Sequence, residues 1–451
     1  MNQSTTVHDQ TANLPPSAGL RPGLFRDPYR FVMESAARHD GLVRVGAGPL
    51  ETYIVSHPDY IRRILVTNAG NYVKGPLMKP FRTALGNGLV TSEGEFWKRQ
   101  RRLMQPAFHA RQLHLMENHV AACVERAVQR WEAAADAARP VNFLDDCIEL
   151  NVEIVLGALF STSIDAARAE RLRELTSQVF AGLASKVWTF FLPGWFPLPG
   201  AVRYRRAVAA LDAEVHALIA ERRAGDMEPE DLLGLLLDAV DADTGERMSD
   251  QQLRDEIFTL FMAGYETTAT GLTWAAYELA QNSEVAEKMV AELGQVVSGQ
   301  QPTFAELPRL EYGKRVIDEV LRLHPPFPIW FRSTVAPDIL GPYRIPENTK
   351  IVLNPQITHR DPRFWDDPET FDPDRFAPER ADSRHRLAYY PFGKGSRVCI
   401  GERLSTAITQ MVLSAVVRGF EFAVEPGFDV VPRYVVTCQP KGGLPLVLRR
   451  R

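Results

Sequence analysis

A helical pattern that begins at Ser249 and runs unbroken to about Ala280 constrains this chain more than any other feature. Ser249 and Gln252 are spaced as a capping box, in which side chains satisfy the free main-chain N–H groups of a helix start. At 1.5 Å per residue the helix spans on the order of 45–50 Å, enough to cross the whole molecule. Everything else must pack around it. Midway along it stands "AGYETT", Ala263 to Thr268. Glycine and threonine are weak helix formers, and an acid followed by two alcohols is an odd choice for a core helix. Threonine hydroxyls compete for main-chain carbonyls, so the segment predicts a local opening of the helix tied to function.

The rest of the chain is ordered around that rod. A short helix is expected over about Pro28 to His39, then two strands, "LVRVG" and "ETYIV". Helical periodicity dominates from Pro58 to about Val297, interrupted by loops near Lys74–Glu93 and Pro193–Gly200. Beyond Arg322 prolines become frequent and short β-rich runs appear ("RSTVA", "YRIP", "KIVLN"), followed by a long irregular stretch to Phe392. A last helix is expected from about Gly401 to Val417, with Gly419 as its stop. The strands "RYVVTC" and "LPLVLRR" close the chain. Helices first, then small sheets and coil, make a mainly α, α-rich α+β fold. At 451 residues, length alone suggests about three domains of roughly 150 residues. No linker or repeat supports that division, so residues 1–20 are expected to be a flexible lead-in and 21–451 a single domain.

Composition excludes several classes. A net charge of −4 and a pI of about 6.2 do not suggest a nucleic-acid partner. The polar, then proline-rich N-terminus has no basic and apolar succession, and no apolar run is long enough to span a bilayer, so no transmembrane anchor is expected. Cys123, Cys147, Cys399 and Cys438 are far apart and contain no C-x-x-C pair. That argues against zinc and a disulfide framework and fits a reducing cytoplasm.

One cysteine differs from the rest. "PFGKGSRVCIGERL", Pro391 to Leu404, surrounds Cys399 with three glycines and an arginine just ahead of the last helix. A helix start favours a sulfur anion through its free N–H groups and positive dipole end. Gly393, Gly395 and Gly401 let the backbone bend sharply and lie against a flat ligand. Arg397 supplies a fixed positive charge suited to a carboxylate. A flat, carboxylated molecule carrying a metal that accepts a thiolate is haem.

Here "FGKGSRVCIG" resembles the cysteine-loop signature of the cytochrome P450 haem-thiolate monooxygenases, with Phe392, Gly393, Gly395, Arg397, Cys399 and Gly401 in place. The resemblance implies haem b with Cys399 as the iron's axial ligand and a triangular helical domain with a long central helix and small β-sheets. "DEVLR", with Glu319 and Arg322 on one helical face, followed by "LHPP" and "FDPDRF", matches the family's buried Glu-Arg-Arg arrangement, with Arg375 as third member. "AGYETT" matches the oxygen-activation motif, and Glu266 with Thr267 is implied to be the acid–alcohol pair that delivers protons. In "FWKRQRR" Trp97 and Arg101 share a face and, by family position, contact a haem propionate; Arg332 in "WFRST" looks like another such partner. Lys98 and Arg102 form a neighbouring basic stripe that could receive an acidic electron donor.

The resemblance therefore implies insertion of one oxygen atom from O2 into a small apolar substrate of terpenoid, fatty-acid or macrolide type. Electrons would come from an external ferredoxin and its reductase, to a monomeric cytoplasmic enzyme. A haem-thiolate peroxygenase or isomerase, or a non-catalytic haem-binding sensor, are the rival readings, and the Glu266–Thr267 pair favours the O2 route. Phe180, Trp188, Phe190, Phe191, Trp195 and Phe196, between Val179 and Gly200, fall where the family places a lid over the substrate. Contact of that segment with a membrane stays open.

Overall fold

The computed structural model of the chain describes residues 13–19, 23–160, 166–188, 200–224, 231–434 and 436–451. Its axis is a single continuous helix, Asp250–Gln281, whose start carries both arms of the expected box: Ser249 Oγ accepts from Gln252 N at 3.3 Å, and Gln252 Oε1 accepts from Ser249 N at 2.8 Å. The helix is apolar and buried around most of its circumference, which marks a core rod rather than a surface helix. Helices Phe143–Phe160, Ala201–Ala224 and Glu402–Gly419 pack against it. The expected opening at Ala263–Thr268 does not occur. The Thr267 hydroxyl donates to Ala263 O at 2.7 Å, and the helix continues through it, because a carbonyl has two lone pairs and can accept the hydroxyl without releasing its main-chain donor.

The β structure is small and peripheral. A six-stranded sheet runs in the order Ser17–Gly19, Leu42–Val45, Thr52–Val55, Lys350–Leu353, Trp330–Thr334 and Tyr72–Val73. A three-stranded sheet joins Phe420–Val424, Pro445–Arg450 and Val141–Asn142, and two hairpins stand apart. The run "RYVVTC", expected as one strand, is instead a hairpin: Pro432–Tyr434 turns back on Cys438–Pro440, with Tyr434 opposite Cys438. The expected loop between Lys74 and Glu93 contains a short helix, Lys79–Leu85. The final helix does end at Gly419, but without the left-handed conformation of a glycine cap. Phe190, Phe191, Trp195, Phe196 and the loop Pro193–Pro199 lie outside the described residues, as does the side chain of Trp188.

The irregular stretch before the cysteine is tied down by a buried ionic knot. Arg322 donates to Glu319 from Nε (2.6 Å) and Nη2 (2.7 Å), and Arg375 Nε reaches the same carboxylate at 3.2 Å. The remaining guanidinium donors of Arg322 take the carbonyls of His359, Pro368 and Thr370. Arg322 and Glu319 are fully buried, and such a group is tolerated only because nearly every donor finds an acceptor.

Candidate active site

The cysteine loop closes on itself through Cys399 N, which donates to Phe392 O at 2.9 Å. Gly393 and Gly395 adopt φ of +73° and +72°. A Cβ at Gly395 would stand 2.1 Å from Leu65 O, and one at Gly393 3.0 Å from the Trp330 ring, so both positions require glycine. Gly401 is different: its φ is −89° and a Cβ there would meet only Cys399 Sγ, at 4.0 Å. Its role is to open the helix Glu402–Gly419, whose first N–H groups, of Gly401 and Glu402, point at the sulfur.

Those amides favour the thiolate as the sequence predicts, yet burial outweighs them and leaves the free thiol raised above its ordinary value. A cation at the sulfur is what would reverse that balance. Cys399 is enclosed by protein while its side chain stays accessible, so it opens into an internal cleft. The other three cysteines are buried.

The central helix, too, is open on one face. Between Leu253 and Ala276 every residue is buried except Leu260, Ala263, Gly264 and Thr267. These positions are spaced i, i+3, i+4 and i+7, one face of a helix. Two are small and one is a hydroxyl. Glu266 is not on this stripe. It is buried on another face, where its Oε1 accepts from Thr437 Oγ1 at 2.6 Å and from Gln439 Nε2 at 2.8 Å, and burial raises its pKa to about 7. The predicted acid–alcohol pair is therefore adjacent in sequence but not joined by a hydrogen bond. Thr268 turns toward the last helix and meets Ser405 Oγ at 3.1 Å.

The arginines gather around one carboxylate. Arg397 donates from Nη2 to Glu93 at 2.8 Å and from Nη1 to Ser92 O at 3.0 Å, and its guanidinium lies 3.6 Å from the centroid of Trp97. Arg101 reaches Val398 O at 3.0 Å and Gln105 at 2.8 Å. Arg332 is buried on its strand, and among the described residues its side chain bonds only Phe331 O, at 2.7 Å. Burial lowers its pKa to about 10, a cost partly offset by Glu93. Lys74, which the sequence did not single out, is buried in the same cluster with Nζ on Leu89 O and Val90 O. Two guanidiniums and an ammonium thus share Glu93, an imbalance that a bound dianion would correct.

Sulfur opening on a cleft and surplus buried positive charge form a donor set that fits haem with its two carboxylates. The basic stripe on the outer face reads differently from expectation. Lys98 pairs with Glu95 (2.7 Å), and Arg102 with Asp241 (3.0 Å) and Asp243 (2.8 Å), so these charges are largely neutralised. His324 stacks on Trp274 and bonds Glu278 at 2.6 Å.

Fold and site define a haem-thiolate enzyme, and comparison with known proteins agrees: the family pattern of cytochrome P450 matches residues 20–444. The chain belongs to the cytochrome P450 family. It is 35% identical to the cyclooctat-9-en-7-ol 5-monooxygenase of Streptomyces melanosporofaciens, over 97% of this chain and 94% of that one. With the pentalenene oxygenase of Streptomyces avermitilis it shares 32% identity over 100% and 99% of the two chains. Among solved structures, the cytochrome P450DA haem domain superposes with a TM-score of 0.89 at 24% identity, covering 98% of each chain. The protein is a haem-thiolate monooxygenase that uses O2 and a redox partner. No helix among the described residues is long and apolar enough to cross a membrane.

Proposed function

We propose that this enzyme hydroxylates an apolar terpenoid at an unactivated carbon, with Cys399 as the thiolate ligand of the haem iron. The observation that carries the reading is the half-open stripe of Leu260, Ala263, Gly264 and Thr267 on an otherwise buried helix. Small side chains leave room beside the cofactor, and a single hydroxyl supplies the polar contact that an otherwise apolar pocket needs. The relatives described above are terpenoid-modifying monooxygenases, which favours terpenoids over fatty acids and macrolides.

The haem, when bound, supplies the activation of oxygen and its transfer to carbon. The chain's own residues position and protect that chemistry. Arg332, Arg397 and Arg101 offer donors for the haem carboxylates, and Trp97 holds the Arg397 guanidinium in place. The Gly401 and Glu402 amides stabilise negative charge on sulfur, and Phe392, partly buried against the main core, keeps the loop closed. Thr267 presents its hydroxyl on the cleft face, while Glu266 stores a proton within the helix–hairpin contact. One domain, residues 21–451, would carry all of this as a cytoplasmic monomer served by a ferredoxin.

The test is titration of the purified haem-loaded enzyme with cyclic terpene hydrocarbons and alcohols, fatty acids and macrolides, watching the haem spin state. Turnover with a surrogate ferredoxin and reductase then identifies products. Spin-state shifts and hydroxylated products with terpenoids alone support the proposal; shifts confined to charged or small polar compounds overturn the substrate class.

A further inference from the structure

Glu266 sits in an asymmetric environment. Its Oε1 takes two donors, Thr437 Oγ1 at 2.6 Å and Gln439 Nε2 at 2.8 Å, whereas its buried Oε2 has no hydrogen-bond partner among the described residues. No lysine, arginine or histidine pairs with this carboxyl among the described residues. Two donors on one oxygen and none on the other is the pattern of an acid whose carbonyl oxygen is held and whose hydroxyl oxygen carries the proton.

The donors belong to a hairpin that is itself anchored. Trp274 Nε1 donates to Cys438 O at 2.6 Å, and Cys438 N donates to Pro326 O at 2.9 Å. On the adjoining strand Tyr434 stacks on Tyr29, ring centroids 3.4 Å apart, and its hydroxyl accepts from Gln356 at 2.9 Å. Gln439 also reaches Thr270 Oγ1 at 3.4 Å, one helical turn beyond Glu266. Helix and hairpin therefore meet Glu266 at a fixed place.

We propose that Thr437 and Gln439 are positioning residues for Glu266: by binding Oε1 without contributing charge, they keep Oε2 as the proton-bearing oxygen and make the C-terminal hairpin part of the proton-handling unit. The inference rests on the proton-storing role given to Glu266 above. The ionisable groups on the elements packed here are consistent with an uncharged slot. Tyr265 on the helix and Tyr434 on the hairpin are phenols raised by burial, and Cys438 is pushed up to about 12. Cys147, against Thr273 on the neighbouring helix, is likewise a raised thiol. Arg173 acts on Tyr265, whereas burial and the Thr437 hydrogen bond are the influences on Glu266. Burial without a countercharge then lifts Glu266 to about 7, so both protonation states are populated near neutrality.

Infrared pH titration of the haem-loaded enzyme reads this directly, with Glu266→Gln as the subtraction control and the reduced carbon monoxide spectrum confirming that each variant is assembled. A protonated carboxyl band that disappears in Glu266→Gln and titrates near neutrality is expected. Thr437→Val removes a donor that favours the ionised form and moves the midpoint up, by about one pH unit; Thr437→Ser restores it. Gln439→Lys, at a half-buried position, introduces a cation and moves the midpoint down by roughly one to three units. The pH at which turnover shifts from product to hydrogen peroxide should move in the same sense in each variant. Midpoints that stay put, or that move the same way in Thr437→Val and Gln439→Lys, overturn the assignment. The infrared measurement needs no substrate, so its failure is distinguishable from an error in the substrate class.

Discussion

The guanidinium of Arg397 stands 3.6 Å from the ring centroid of Trp97, joining the cysteine loop to a helix roughly three hundred residues earlier in the chain. The pair explains why the two motifs occur together: one presents the sulfur, the other steadies the cation beside it. A partly buried cation–π contact is worth about 1 kcal/mol or more. Trp97→Ala should therefore weaken haem retention at least roughly fivefold. Competition for haem by apomyoglobin checks this; unchanged retention removes the contact from the cofactor site.

Cys399→Ser keeps the size of the side chain but loses the soft anionic donor. The fold should persist, because the loop is held by the Cys399 N to Phe392 O bond and by two glycines rather than by the side chain. The reduced carbon monoxide spectrum should lose its red-shifted thiolate band, and a band identical to the parent's would mean that another residue ligates the iron.

Thr267→Ala should leave haem content and stability almost unchanged. The hydroxyl donates to Ala263 O, a carbonyl already engaged in the helix, so its removal strands no buried group. Product formation per NADPH should fall and hydrogen peroxide should rise. Measuring all three together decides it, and parent-like coupling would shift the role to Thr268 or to another donor.

Glu319→Ala leaves Arg322 and Arg375 with buried, uncompensated charge. Breaking a buried pair from one side costs about 3–5 kcal/mol, so poor folding and low haem loading are expected. A denaturant midpoint close to the parent's would contradict the knot's structural role.

Stability should fall as the pH rises from about 4.5 to about 8. Burial raises Glu256 to about 8 and Glu266 to about 7, against 4.5 for an ordinary glutamate. In that window the native chain keeps protons that the unfolded chain has lost, and stability declines wherever the native state binds more protons. The loss begins near the ordinary value and levels off above about 8. Denaturant midpoints of the haem-loaded enzyme below and above the window test it, and Glu256→Gln should flatten the curve.

Much of the fold is legible in short stretches. Ser249 and Gln252 mark the central helix, and "ETYIV" and "KIVLN" are short β-rich apolar runs, because caps and β propensity act over a few residues. The motif around Cys399 is equally local: its glycines answer to contacts, but the need for them shows in the spacing. Lys74 and Glu93 left no such mark. A lysine between Val73 and a Gly-Pro turn looks ordinary until burial sets it beside Arg332 and Arg397. The run "RYVVTC" hides its turn, because a strand and a tight hairpin of apolar and β-branched residues share one local pattern.

The amino-acid order by itself determined the family and the cofactor, and it offered candidates for the residues that serve it. Which of those residues share a face, and which are paired away, only the tertiary structure decided. Glu266 and Thr267 are neighbours in the chain, yet helical rotation leaves Thr267 on the partly exposed stripe and turns Glu266 to Thr437, 171 residues further on. Lys98 and Arg102 read as a free basic stripe until Glu95, Asp241 and Asp243 close on them. Burial and pairing depend on groups far apart in sequence, and local propensity carries no record of them.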